Sequence, residues 1–453
     1  MTKPKKAHLT EGSVVRKLAE MTVPMTIGLF SIVLFNLVDM FFVGRLGTQE
    51  LAALSFTFPV VTTIGSFALG IGTGVSAVIS RAIGGGDQHK AQELTTDSIL
   101  LSIITSIVFT VAGIMTMGPI FKVLGAGEEI IPAVRGYMDI WYSGLIFLVI
   151  PMVGNNAIRA TGDIKRPALV MIFAVVLNAV LDPLLIFGIG PFPSLGISGA
   201  ALATVISRAV TLFLSLYILH FQKNMLCFER RAFDRILSSW KSILYLGIPT
   251  AATRLIMPIA MAIIVRLVAS YGPEAVAGFG VASRIEFFAL TVVISLATVL
   301  GPFVGQNWGA GMNGRVVSGV NVSKIFSMVW GLVMFVFLVL AAEPLVKVFN
   351  DDPVVIETAS MYLKLVPLGY GLFGTLIISA MTLTVLHRPF SATGLMAFPM
   401  IVLYLPIALL GSHLAGLAGI FAALLVAYVT GGVLSNFVLG KTMRALRENL
   451  VTC

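Results

Sequence analysis

Apolar runs of about twenty residues or more follow one another along almost the whole chain, separated by short polar loops. Each run is long enough to cross a bilayer as an α-helix, since one span needs about 20 apolar residues. Only 11% of the 453 residues are charged and 57% are hydrophobic, whereas a soluble domain carries about 25% charged residues. The alternating ten-residue segments of a membrane β-barrel do not occur. The sequence therefore predicts an all-α polytopic membrane protein.

Twelve spans are predicted, six on each side of a polar central segment. Their approximate ranges are 20–43, 52–80, 95–117, 132–155, 168–188, 197–221, 243–270, 276–304, 317–341, 357–385, 395–411 and 417–440. We expect an N-terminal lobe over 1–221, a cytoplasmic inter-lobe loop over 222–242 and a C-terminal lobe over 243–453. The aromatic and basic residues of the loop suit either a short interfacial helix or an ordinary positive loop.

The distribution of Lys and Arg predicts the orientation in the membrane. With both termini inside, twenty-one cations, Lys3, Lys5 and Lys6 among them, fall in inner segments and about five in outer ones. This bias follows the positive-inside rule, so both termini are expected in the cytoplasm. The net charge of +9 is explained in the same way, and no nucleic-acid partner is expected.

Cys227 and Cys453 define no disulfide framework or metal site and are expected to be reduced.

The two halves of the chain resemble each other. Val23-Pro24 recurs as Ile248-Pro249, and Gly47 recurs as Gly272, both 225 residues later. Near the end of each half, the segment 195–199 resembles the segment 415–419 at an offset of 220. A repeat of six spans returns to the same side, so the copies are parallel. Parallel repeats of this kind are typical of secondary transporters, which open alternately to either side.

Two carboxylates interrupt the apolar spans of the first half. Asp39 lies in the first span and Asp182 in the fifth; ionised groups at such positions cost roughly 2.5 kcal/mol or more. At the repeat offset, Asp39 corresponds to Ile264, and Asp182 has no acidic counterpart. This asymmetry indicates a site in the first lobe. The alternative is that each is a hydrated, inert carboxylate near a helix end.

The spacing of these acids suits a shared site. Asp39 and Asp182 lie about five and six residues from the outer ends of their spans, so they can face one cavity. Asn178 and Asp182 are four residues apart, which puts both on one helix face. Two neighbouring carboxylates could take up a proton jointly, or form an oxygen cage for sodium with nearby polar oxygens. The residues leave both ions open.

Five motifs follow one another along the chain: Asp39 with the loop 44–47, the segment 156–165, Asn178 with Asp182, the segment 199–204 and the segment 305–310. Together they resemble the multidrug and toxic compound extrusion (MATE) transporters, and the resemblance covers the whole chain. The resemblance implies a twelve-helix, two-lobe exporter driven by protons or sodium ions. It also implies a cation site, proton or sodium, made of Asp39, Asn178, Asp182 and Thr204.

Within that family the chain resembles the DinF-like branch, whose cation site lies in the N-terminal lobe. The resemblance implies that Tyr137 and Asn155 line the same cavity, and we add Asn36 and Arg254 as candidate residues of the substrate cavity. Another branch carries a Glu eight residues after the proline of the seventh span. Here that position is Met257, which disfavours a carboxylate mechanism of that type.

The function expected from these features is secondary antiport: export of amphipathic or cationic drugs and toxic compounds in exchange for protons or sodium ions. The alternative is a flippase for a lipid-linked precursor, which should line its cavity with several basic residues. We expect no enzyme, because metalloprotease and ATP-binding motifs do not occur. No cofactor is expected besides the coupling ion. We expect a multi-pass monomer in the lipid bilayer of the plasma (inner) membrane, with small-molecule substrates.

Overall fold

Helices make up nearly the whole of the structure. The computed structural model describes residues 9–125, 127–229 and 231–448, and no β-strand occurs among them. Lys3, Lys5, Lys6, Arg230 and Cys453 lie outside these ranges. The helices are α1 Val14–Gly44, α2 Thr48–Gly84, α3 Gln88–Val123, α4 Ile131–Ser143, α5 Leu145–Ala160, α6 Lys165–Phe187, α7 Ile197–Tyr217, α8 Phe233–Val268, α9 Pro273–Gly309, α10 Asn313–Lys347, α11 Pro353–Leu365, α12 Tyr370–Val385, α13 Pro389–Ala397 and α14 Leu405–Glu448.

These helices amount to twelve membrane spans. Ten helical stretches within the described residues are long and apolar enough to cross a membrane, and α4 with α5, bent by 50°, form an eleventh span. The stretch Pro389–Leu446 counts as one of the ten, but α14 has non-helical backbone at Ala415 and Gly416. The stretch Pro389–Leu446 is therefore divided at this break into two spans. The predicted all-α fold with twelve spans is confirmed.

The predicted repeat recurs in the backbone of the two glycine segments. Gly196 has φ 55° and ψ −135°, and Gly416 has φ 61° and ψ −138°. These positive φ angles favour glycine, which has no Cβ to clash. Three residues further on, a Cβ on Gly199 would overlap the backbone of Leu185, and one on Gly419 would overlap the backbone of Gly411. The same turn and the same close helix approach occur in both halves.

The chain divides into two compact units that each take helical segments from both halves. The first unit is Pro24–Ala251, and the second comprises residues 9–23 and 252–448 among those described. Helices α1 and α8 thus each contribute to both units. In the first unit, a Cβ on Gly70 of α2 would overlap Ala251 of α8. In the second, Arg315 donates to the carbonyl oxygen of Gly12 at 2.8 Å.

The connection between α7 and α8 is shorter than predicted, and it is fastened to α3. Residues 224–229 and 231–232 are irregular, and α8 starts at Phe233, so the aromatic and basic segment forms no separate interfacial helix. Arg231 forms a 2.8 Å ion pair with the buried Asp97. The indole of Trp240 donates to the Asp97 carbonyl oxygen at 2.9 Å. These contacts fix the start of α8 against the first unit.

The second unit contains a buried carboxylate, Glu286 of α9. It accepts hydrogen bonds from the hydroxyl of Tyr428 at 2.8 Å and from that of Tyr362. The buried hydroxyls of Tyr370 and Tyr404 have no hydrogen-bond partner among the described residues and lie within electrostatic reach of Glu286. Buried acids therefore occur in both halves of the chain. This acid of the second half lies on α9, whereas the two predicted acids of the first half lie on α1 and α6.

Candidate cation site in the first unit

Helices α1 and α6 bring the two predicted acids into the interior of the first unit. Asp39 lies near the end of α1 and is buried, and Asn178 and Asp182 of α6 are fully buried. The Asn178 amide donates to Asp182 Oδ1 at 3.1 Å. Pro183 follows inside the same helix, and its missing N–H removes one helical hydrogen bond beside the carboxylate.

Helix α7 supplies Thr204 and Arg208, one turn apart on the same face. Thr204 is buried, and its helix approaches α6 closely because Gly199 lies against the backbone of Leu185. Small residues at such a contact let two helices pack at short distance. The close approach sets the position of Thr204 relative to Asp182.

The charged groups of these helices converge. The carboxylates of Asp39 and Asp182 lie within hydrogen-bonding reach of each other, and the guanidinium of Arg208 lies within electrostatic reach of Asp39. The guanidinium also sits 4.9 Å from the centre of the Phe35 ring, a cation–π contact that helps to fix it. Tyr137 of α4 lies near both acids and Arg208.

The four predicted ligands each present an unsatisfied buried oxygen. Asp39 Oδ1, Asn178 Oδ1, Asp182 Oδ2 and Thr204 Oγ1 have no hydrogen-bond partner among the described residues. Buried polar atoms in native proteins are nearly always hydrogen-bonded, so each exception needs an explanation. Asn178, Asp182 and Asp39 are neighbours, and Thr204 lies one turn before Arg208, which is near Asp39. Their unpartnered oxygens fit a group that binds between these helices.

The donor set fits a proton or a hard monovalent cation. Two adjacent carboxylates repel each other when both are ionised, and a shared proton or a bound cation removes this repulsion. Carboxylate, amide and hydroxyl oxygens are also the ligands that hard cations prefer. The residues therefore fit sodium as well as a proton, and the geometry favours neither.

The predicted substrate-cavity residues fall in different places. Tyr137 is buried beside the acids. Asn155 of α5 is buried, with Oδ1 unpartnered among the described residues, and Asn36 is exposed on α1, one turn before Asp39. Arg254 is exposed on α8 and belongs to the second unit. Tyr137 is thus the member of this set that the structure brings to the cation site.

The sequence analysis assigned no role to Arg208 and did not predict that His89, Cys227 and Glu229 lie together. Arg208 follows Thr204 by one helical turn, and that spacing could have placed it in the site. His89, Cys227 and Glu229 bring their ligand atoms within 4.8 Å of one another, although α3 and the loop before α8 are far apart in sequence. A 3.4 Å hydrogen bond between His89 and Glu229 accounts for part of this cluster.

The family model described as MatE matches residues 24–184 and again 249–415. The two matches start 225 residues apart, at the predicted repeat offset, and together cover more than half of the chain. The chain belongs to the MATE family. This MATE protein is therefore a transporter rather than an enzyme, and a multi-pass membrane protein.

Relatives of this MATE protein carry different functional names. The chain is 40% identical over 427 residues to a protein of Shewanella oneidensis named FAD transporter, covering 94% of each. It is 27% identical over 406 residues to YoeA of Bacillus subtilis, a probable multidrug resistance protein, covering 88% of each. The structure of this chain is also similar to the crystal structure of the Vibrio cholerae MATE transporter VcmN in the bent form. The two superpose with a TM-score of 0.90 at 28% sequence identity, over 96% of this chain and 98% of VcmN.

Proposed function

We propose that this MATE protein exports a small organic molecule in exchange for a proton or sodium ion that binds at Asp39, Asn178, Asp182 and Thr204. The observation that carries the proposal is that each of these four side chains has a buried oxygen atom without a hydrogen-bond partner among the described residues. A cation site in the first lobe is also the feature expected of the DinF-like branch. Both termini face the cytoplasm of the plasma (inner) membrane, and the working unit is a monomer.

The charge balance of the site suggests one coupling ion per cycle. Asp39 and Asp182 supply two negative charges when ionised, and Arg208 supplies one positive charge. The remaining single negative charge is neutralised by one proton or one sodium ion. Buried charge without compensation costs several kcal/mol. The ion-bound site is therefore stable when buried, whereas the ion-free site is more stable when it is open to water.

Exchange requires that ion and cargo favour opposite conformations. A ligand that binds both conformations equally shifts nothing, however tightly it binds. In this mechanism the ion enters from the outer side, neutralises the carboxylates and stabilises the conformation from which cargo leaves. Release of the ion inside restores the charge and the conformation that accepts new cargo.

For the cargo, we favour a flavin dinucleotide or a similar anionic nucleotide. The relative named FAD transporter is 40% identical over 94% of this chain, well above the 25–27% of the relatives named for multidrug resistance or export. Three arginines, Arg254, Arg266 and Arg284, are exposed on the membrane-spanning helices of the second unit. Such cations suit a pyrophosphate group.

A cationic amphipathic drug is the second candidate cargo. It is supported by the names of several relatives, such as the multidrug export protein MepA of Staphylococcus haemolyticus, 25% identical over 434 residues. The acidic pair could attract a cation directly. A flippase for a lipid-linked precursor remains the third outcome of the test.

The proposal is tested by efflux from proteoliposomes under separately imposed proton and sodium gradients. FAD, a lipophilic cation such as ethidium and a fluorescent lipid serve as three alternative cargoes. We expect Asp39→Asn and Asp182→Asn each to lower gradient-driven transport at least tenfold, because either change removes an ionisable ligand. The gradient that drives wild-type efflux identifies the ion.

The control is Asp139→Asn, which removes an exposed carboxylate of α4 in the same unit and should transport normally. Normal gradient-driven transport by both site variants would overturn the cation site. Transport of ethidium or lipid without FAD would overturn the favoured cargo while leaving the cation site standing.

A further inference from the structure

A basic cavity of about 280 Å³ lies between α10 and the last part of α14 in the second unit. On α10 it is lined by Val317, Val320, Asn321 and Lys324, at the spacing of one helix face. On α14 it is lined by Asn436, Leu439, Gly440, Met443 and Arg444. The lining combines five apolar or glycine residues with two cations and two amides.

Neither of the two cations has an acidic partner among the described side chains. Lys324 donates to Asn436 Oδ1 at 2.8 Å, and no described carboxylate lies within 4 Å of Lys324 or Arg444. Lys324 is eleven residues into α10, or about 16 Å along the helix at 1.5 Å per residue. A cation on a membrane helix normally pairs with an anion or extends to the membrane surface. No carboxylate is among the described residues that line the cavity.

An apolar surface begins beside the cavity. Ile325, Val329 and Leu332 of α10 are 64%, 56% and 62% exposed, and Phe437 of α14 is 73% exposed. On a membrane-spanning helix such side chains contact the acyl chains of lipids. A ligand that fills the cavity and continues along this surface must have an anionic head and apolar tails.

We propose that this cavity binds the head group of an anionic phospholipid. Lys324 and Arg444 would contact the phosphate, the amides of Asn321 and Asn436 would hydrogen-bond to its oxygens, and the acyl chains would lie along the exposed face of α10. A phosphodiester head group needs less enclosed volume than a whole drug-sized ligand, whose pockets begin at roughly 300 Å³, because the acyl chains remain on the helix surface. Basic pockets between helices on the cytoplasmic side commonly bind anionic lipids, and the cavity lies at the end of α14 that we assign to that side.

Native mass spectrometry of the full chain, released from nanodiscs that mix phosphatidylglycerol with phosphatidylcholine, tests this site. We expect the wild-type protein to retain phosphatidylglycerol with about tenfold preference, since each cation near the membrane surface favours an anionic lipid severalfold. The double variant Lys324→Gln/Arg444→Gln should lose most of this preference. Arg444→Gln alone, which changes an exposed side chain, should lose part of it without loss of folding.

Lys441→Gln is the matched control, because Lys441 is exposed on the same turn of α14 and does not line the cavity. An equal preference in the wild type and the double variant, or an equal loss in Lys441→Gln, would overturn the proposal. Inorganic phosphate added at millimolar concentration should leave lipid retention unchanged. Displacement of the lipid by phosphate would reveal a site for free anions instead.

Discussion

Arg208 sets the charge of the candidate cation site, although it supplies none of the predicted ligands. It lies one helical turn after Thr204, over the ring of Phe35 and within electrostatic reach of Asp39. At an effective dielectric constant near 20, one charge at about 6 Å changes the free energy of a neighbouring charge by about 3 kcal/mol. Its presence therefore decides how many cations the acid pair needs.

Replacing Arg208 by Met should raise the number of coupling ions per exported molecule from one towards two. The site would then hold two negative charges without a cationic partner, and each needs compensation in the interior. The ratio is measured from the reversal potential of transport in proteoliposomes. Arg208→Lys keeps the charge and should keep the wild-type ratio. An unchanged ratio in an active Arg208→Met protein would contradict this account.

At the scale of elements, the contact between α6 and α7 holds the ligand set together. Gly199 of α7 lies against the backbone of Leu185, three residues after Asp182. The side chains that bind an ion must be held to within about 0.5 Å. Separation of these two helices would move Thr204 away from the carboxylates.

Gly199→Val should lower the thermal stability of the protein and abolish ion-coupled transport, since the added side chain overlaps backbone that cannot move alone. We expect a cost of about 2 kcal/mol or more, as for other overpacked sites. Gly118→Ala is the matched control: it is a helical glycine of α3 with no atom within 4 Å of an added Cβ. There the change should be neutral or stabilising. Thermal unfolding in detergent and transport assays measure both variants.

The turn between α5 and α6 is held by Asp163. Its carboxylate pairs with Lys223 at 2.7 Å and with Arg166, which ties this turn to the segment that follows α7. Partial burial alone would raise the pKa of Asp163, but the hydrogen bonds and charges of Lys223 and Arg166 outweigh it. The pKa of the Asp163 carboxyl is consequently lowered.

A lowered pKa makes this contribution to stability depend on pH. The ionised form is favoured in the folded state, so the stabilisation is complete above the unfolded pKa of about 3.9 and is lost as the pH falls through the folded value. Asp163→Asn should lower the free energy of unfolding by about 1–2 kcal/mol at pH 7, and the difference should shrink below pH 4. Unfolding in detergent at both pH values measures it. The exposed Asp139→Asn should differ little from the wild type, and a pH-independent loss in Asp163→Asn would contradict the ion pair.

At the scale of the whole molecule, the compact units do not coincide with the two halves of the sequence. The first unit continues to Ala251, inside α8, and the second includes residues 9–23. A cut between the sequence repeats therefore removes from each unit a helical segment that its core needs. In the first unit, Gly70 and Gly74 of α2 pack against that segment of α8.

A fragment ending at residue 229 should therefore fail to give a monodisperse protein when expressed alone, whereas a fragment of residues 1–251 should be markedly more stable. Co-expression of 1–229 with 230–453 should restore a folded complex, since the break lies in an irregular connection. Size-exclusion chromatography in detergent and thermal unfolding compare the three preparations. Equal behaviour of the two N-terminal fragments would contradict the conclusion that the first unit needs the part of α8 that ends at Ala251.

The sequence by itself determined the helical membrane fold, because a long apolar run can satisfy its backbone in a bilayer only as a helix or a closed barrel. It also determined the repeat, and it singled out Asp39 and Asp182, because an acid in an apolar span is costly. Local patterns do not record which distant helices meet. Only the tertiary structure decided that Arg208 joins the acids, that Glu286 lies among four tyrosines, and that α1 and α8 each belong to two units. Each of these features depends on packing between segments far apart in the chain.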